Sequence, residues 1–179
     1  MTLHKKFNVS VVLLLLLLTG FGLWQHLELR KAQNEINLHG AKMANQAAYH
    51  LKTIQRLLEN SSGPRDWENP DKNRALLIRL TYTLDSLHAL ERTMSNLPDH
   101  FPYESRKTIG YIVNWYNEWF SKTLNILADP ETLLENDKAH LYKFITPMSK
   151  VDFSFSDPGK DWDEAFELFD KLHKQLGYH

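Results

Sequence analysis

From Phe7 to Trp24 apolar residues run almost unbroken and without a charge, and Val11 to Leu18 contains nothing else. A soluble amphipathic helix needs one apolar stripe and has no use for six consecutive leucines. Eighteen residues at ~1.5 Å rise reach about 27 Å, close to the ~30 Å thickness of bilayer hydrocarbon. The Phe, Val and Leu side chains of this segment together favour insertion by about 4 to 7 kcal/mol, more than Asn8, Ser10 and Thr19 return. Trp24 falls where an aromatic interfacial anchor belongs. The pattern predicts a transmembrane helix over 7–24, inserted in a lipid bilayer.

Past Gln25 the spacing changes to that of amphipathic helices. Gly40/Ala41, Ala44, Ala47/Ala48, Leu51, Ile54 and Leu57/Leu58 recur at i, i+3, i+4, predicting a helix from about Leu27 to Asn60 that continues the membrane span and presents an alanine-rich face. Asn60-Ser61-Ser62-Gly63-Pro64 ends it. Asn69-Pro70 reads as a cap and a first helical position, opening a second helix with a seam of Leu77, Leu80, Leu84, Leu87, Leu90, Met94 and Leu97. A third, over about Tyr103 to Leu127, carries Ile109, Ile112/Val113, Tyr116, Trp119/Phe120, Leu124 and Leu127, with Tyr111 and Trp115 widening the face. Its polar stripe is narrow, so it is expected to be the most enclosed helix.

Asp129-Pro130 opens a fourth helix through Leu133/Leu134, Leu141, Phe144/Ile145 and Met148, ended or kinked by Pro147. Val151, Phe153 and Phe155 alternate with polar residues and read as extended chain. Asp161 and Glu164 form a capping box for a last helix with Trp162, Ala165/Phe166, Phe169, Leu172 and Leu176, stopped by Gly177. The expected fold class is all-α, an N-terminal transmembrane helix followed by an antiparallel bundle of about five helices with sequence neighbours packed as hairpins. Its parts are a cytoplasmic tail over 1–6, the membrane segment over 7–24 and an extracytoplasmic domain over 25–179.

Composition and charge narrow the function. The 179 residues suit one domain plus an accessory segment. With 21 basic against 22 acidic side chains, and Lys5 and Lys6 spent on the leader, the remainder is net acidic, so no basic surface for nucleic acid is expected. The absence of cysteine excludes disulfides, thiolate metal sites and cysteine nucleophiles. Lys5 and Lys6 ahead of the apolar run have the layout of an export signal, which puts the N-terminus in the cytoplasm and the bulk of the chain outside. Gly20-Phe21-Gly22 is a poor cleavage site, so an uncleaved signal-anchor is expected, with secretion the outcome if the leader is removed.

Candidate chemistry is sparse. The Glu-x-x-His pairs of bundle metal sites are missing, although Asp137 and His140 have that spacing and His88 and Glu91 have it reversed. Acidic residues crowd Asp152 to Glu167 without the EF-hand spacing. Neither a Gly-x-Ser-x-Gly nor a glycine-rich phosphate loop occurs. No metal, cofactor or catalytic residue is expected, and the protein is not expected to be an enzyme. The most suggestive feature is Tyr111, Trp115 and Trp119 at i, i+4 and i+8, a patch that suits a ligand pocket or a partner helix as well as a bundle core.

Three readings of function follow. The first is a membrane-anchored extracytoplasmic module that binds a membrane or extracytoplasmic protein partner or itself. The second is a small-molecule sensor using Tyr111, Trp115 and Trp119. The third is an anchored or secreted enzyme.

Overall fold

A computed structural model describes residues 3–60, 69–128, 135–153 and 162–177, with side chains from Val12 onward. The described residues are helical, with no strand, and form α1 (Leu3–Glu59), α2 (Pro70–Asn96), α3 (Tyr103–Ala128), α4 (Glu135–Tyr142), α5 (Ile145–Met148) and α6 (Trp162–Gln175). The chain is an all-α helical bundle with a long apolar N-terminal helix, as the periodicity predicts. It divides into two compact units, Met1–Ile36 and Asn37–His179.

α1 is one helix of 57 residues, uninterrupted because no proline occurs before Pro64. In the first unit Val12 to Leu18, Phe21, Leu23 and Trp24 are all exposed, and α1 contains the one stretch among the described residues long and apolar enough to cross a membrane. Thr19 spends its hydroxyl on the carbonyls of Leu15 and Leu16, at 2.9 and 3.0 Å, which hides the donor that would oppose transfer to hydrocarbon.

Within the second unit, α1 buries Ala41, Ala44, Ala47, Ala48, Leu51, Ile54 and Leu58, the face expected from the spacing. Asn69 caps α2, its side-chain oxygen accepting from the N–H groups of Asp71 (3.0 Å) and Lys72 (3.3 Å), with Pro70 at the start of the helix. α2 runs antiparallel to both of its sequence neighbours. Met43 meets Thr93 while His50 meets Tyr82, and Gly110 lies by Glu91 while Tyr116 bonds to Leu80. α6 instead runs in the same sense as α3, since Phe101 packs on Trp162 and Tyr111 on His173. α3 therefore has α2, α4 and α6 packed against it, the enclosed position its narrow polar stripe predicts.

Three local expectations are corrected. The α2 seam is Asn73, Leu76, Leu80, Thr83, Leu87, Leu90 and Met94; Leu77, Leu84 and Leu97 are only half-buried. On α3 the core takes Thr123 and Ile126, leaving Leu124 38% exposed. The fourth predicted helix is split into α4 and α5, with Lys143 and Phe144 between them. The ring of Pro147 clashes with the carbonyl four residues earlier, that of Lys143, so the helix breaks there and not at the proline.

Beyond α5, Val151 and Phe153 are buried around exposed Asp152, the alternation of extended chain. α6 buries Trp162, Ala165, Leu168, Phe169 and Leu172 and closes on Gly177 at φ 76°, a left-handed conformation that suits glycine at a helix end. The predicted caps at Asp129 and Asp161, and Phe155 with its neighbours, lie outside the described residues.

Candidate functional site

The aromatic patch on α3 is built from residues one helical turn apart, so its side chains stack in a row along a single face. Two of the three share a partner and the third meets another helix. Tyr111, 36% exposed, stacks face to face on His173 of α6 with centroids 5.2 Å apart and planes at 8°. Lys107 lies over the same ring at 5.9 Å. Trp115 is half-buried and stacks on Phe144 at 5.4 Å and 15°. Trp119, 5% exposed, meets Phe144 at 4.6 Å. Phe144, the residue at the α4/α5 break, is thus a common platform for both tryptophans, and is itself fully buried.

Trp119 and His140 of α4 clamp each other. The Trp119 indole N–H donates to the His140 carbonyl at 3.1 Å, and His140 Nε2 lies 3.2 Å from the Trp119 carbonyl. A carbonyl only accepts, so Nε2 carries the proton. Thr123 donates to the same carbonyl at 2.8 Å. Burial, chiefly, holds the His140 imidazole below its ordinary 6.5, with Lys122 and Lys143 adding to the effect, while Asp137 and the hydrogen bond to Trp119 oppose it. Deeper in the core the Tyr116 hydroxyl donates to the Leu80 carbonyl at 2.9 Å, and burial pushes its pKa well above the ordinary 10.0.

The structure brings Trp115 and Trp119 together over Phe144 and assigns Tyr111 to the α3/α6 contact. Their ring contacts lie within the bundle. The sequence does not reveal His140 as the partner of Trp119, because that reciprocal bond joins residues 21 positions apart in different helices.

The other candidates stay separate. His140 has its Nε2 committed to the clamp, and His88 Nδ1 lies 3.5 Å from Glu91 on the α2 surface. Among the described residues no three His, Asp or Glu side chains converge as a metal site would require. In the acidic stretch Asp152 lies 3.8 Å from Lys52, Glu167 pairs with Lys171 at 2.7 Å, and Asp163 and Glu164 occupy the first turn of α6, where negative charge favours the helix dipole.

A second concave feature lies elsewhere in the bundle. Met43 and Gln46 of α1 face Tyr82, Asp85, Ser86 and Ala89 of α2 across a groove of about 220 Å³. The Tyr82 ring, half-exposed, stacks on His50 at 6.1 Å and 23°. His50 is held below its ordinary value by burial and by the Arg79 guanidinium. The α2 residues sit at i, i+3, i+4 and i+7, so they share a face, but the cross-helix pairing with Met43 and Gln46 has no signature in the sequence.

Compared with known proteins, the chain matches no family model, no curated protein and no solved structure.

Proposed function

We propose that this chain is a single-pass, membrane-anchored extracytoplasmic helical module that binds a protein partner or a second copy and carries out no chemistry of its own. The observation that carries the reading is the unbroken exposure of Val12 to Leu18, Phe21, Leu23 and Trp24. Exposed apolar surface of this extent is costly in water and marks a membrane or protein contact. Its length suits a bilayer crossing. Basic residues flank both ends, Lys5 and Lys6 on one side and Arg30 and Lys31 on the other. The layout of a short basic head before an apolar run favours a cytoplasmic N-terminus, with residues 25–179 outside.

A further observation bears on where a partner would dock. The ring faces of Tyr111, Trp115 and Trp119 are engaged by α6 and Phe144, which speaks against a ligand pocket on the α3 patch.

The test is protease accessibility in sealed membranes together with site-specific photo-crosslinking of the native protein. The expected result is a carbonate-resistant chain whose domain is digested from the extracytoplasmic side and crosslinks to a discrete second species. A full-length protein recovered in the soluble cytosolic fraction overturns the anchor, and exclusive recovery of monomer overturns the interaction.

A further inference from the structure

The α1/α2 groove differs from the rest of the bundle surface in what its polar groups do. On α2, Thr81, Thr83 and Thr93 all return their hydroxyls to the carbonyl four residues back, at 3.0, 2.8 and 2.9 Å. Ser86, on the same helix, makes no such bond. Among the described residues the side chains of Gln46, Asp85 and Ser86 have neither a hydrogen bond nor an ion pair. Three side chains with free acceptor oxygens, one of them a carboxylate, therefore line one small groove without spending that capacity on each other or on the backbone.

The remaining lining is of a different kind. Met43 contributes a thioether 3.2 Å from the Thr93 hydroxyl, Ala89 a methyl, and Tyr82 a ring that stacks on His50. Acceptors beside an apolar, aromatic wall suit an amphipathic cation. The lining contains no lysine, arginine or histidine, so the carboxylate of Asp85 sets the sign of the charge it attracts. His50, on which the Tyr82 ring stacks, is held below its ordinary value by burial and by the Arg79 guanidinium. At about 220 Å³ the groove lies below the ~300–1,000 Å³ of sites for drug-sized ligands, which limits the ligand to a few heavy atoms.

We infer that the groove between α1 and α2 binds a small primary alkylammonium. Asp85 is the counter-ion, Gln46 and Ser86 accept further N–H bonds from the ammonium, and Met43, Tyr82 and Ala89 cover the alkyl chain. The ring face adds a cation–π attraction. The site is independent of the anchored reading, since all six residues belong to the second unit.

Methionine gives a sparse reporter. The chain has four, Met1, Met43, Met94 and Met148, and Met94 and Met148 are fully buried elsewhere. The experiment is a titration of the full-length chain, labelled with methyl-13C methionine in maltoside micelles, with n-butylammonium chloride. Parallel titrations use 1-butanol and sodium butyrate at matched ionic strength. The expected result is a saturable shift of the Met43 methyl signal with butylammonium, stationary Met94 and Met148 signals, and weaker or no response to the neutral and anionic probes. Asp85→Asn is expected to raise the midpoint about fivefold, the factor that an exposed ion pair supplies, and Asp85→Glu to retain most of the affinity. A Met43 signal that does not move, that moves linearly without saturation, that responds equally to 1-butanol, or that is indifferent to Asp85→Asn overturns the proposal.

Discussion

Thr83 and Thr123 show how a polar side chain enters a core without penalty. Each is fully buried, and each donates its hydroxyl to a carbonyl four residues back, at 2.8 Å. With the donor satisfied, the exterior of the side chain is a methyl group, and the residue packs as a small apolar one. Tyr116 solves the same problem across helices, through the Leu80 carbonyl. Tyr116→Phe is therefore expected to cost about 1 kcal/mol with no change of fold, measurable as a lower midpoint in chemical unfolding followed by tryptophan fluorescence. His140 and His50 are buried and held below their ordinary 6.5. The unfolded chain then binds protons that the folded one refuses, so stability is complete above pH ~7, falls as pH drops through 6.5, and levels off below the lowered folded values. Unfolding midpoints measured across that window are expected to fall on acidification, and His140→Gln is expected to reduce the slope. A profile flat between pH 7.5 and 5 contradicts this assignment.

At the scale of the helix, apolar periodicity locates elements well and faces less well. Asn69-Pro70 and the alanine face of α1 are legible because a cap and a 3.6-residue spacing are local signals. The α2 seam is not. Its buried positions step by three and four in strict alternation from Asn73 to Met94, but two of the seven, Asn73 and Thr83, are polar, so a search for leucines drifts onto Leu77 and Leu84. The same blindness moves the α3 core from Ile126 to Leu124. Gly40 is a packing requirement that composition conceals. A Cβ there would lie 3.0 and 3.1 Å from the Phe101 ring and 3.3 Å from Trp162, and both rings are buried. Overpacking costs about 1–3 kcal/mol, against about 1 kcal/mol regained from alanine's helix propensity. Gly40→Ala is therefore expected to be destabilising by roughly 1 kcal/mol. Phe101→Leu in the same chain should relieve part of that loss, so a double-mutant cycle is expected to give a coupling energy distinct from zero.

For the whole molecule, the fold class and the long apolar N-terminal helix were legible because each rests on a pattern many residues long, whereas the groove and the Trp119–His140 clamp pair residues from different helices and leave no trace in spacing. The apolar leader and the packed bundle also turn out to be separate problems for the chain. Among the described residues every buried position lies at Gly40 or beyond, and the second unit begins at Asn37, so the fully buried core described belongs to the second unit. Its leucines are stabilised only by what surrounds them. Removing residues 1–36 is therefore expected to leave a water-soluble fragment that retains the helical far-UV signal, the near-UV signal of its packed tryptophans and cooperative unfolding, because every described residue that is fully buried stays in the fragment. Charging the leader in the full-length chain, as Leu14→Arg with Leu16→Arg, sets about 5 to 7 kcal/mol for two mid-helix arginines against the insertion energy of the remaining apolar residues. Such a variant is expected to leave the carbonate-resistant membrane fraction with its domain still folded. A fragment 37–179 that is molten or aggregated would show instead that the leader takes part in the fold, and the separation of anchor from bundle would fail with it.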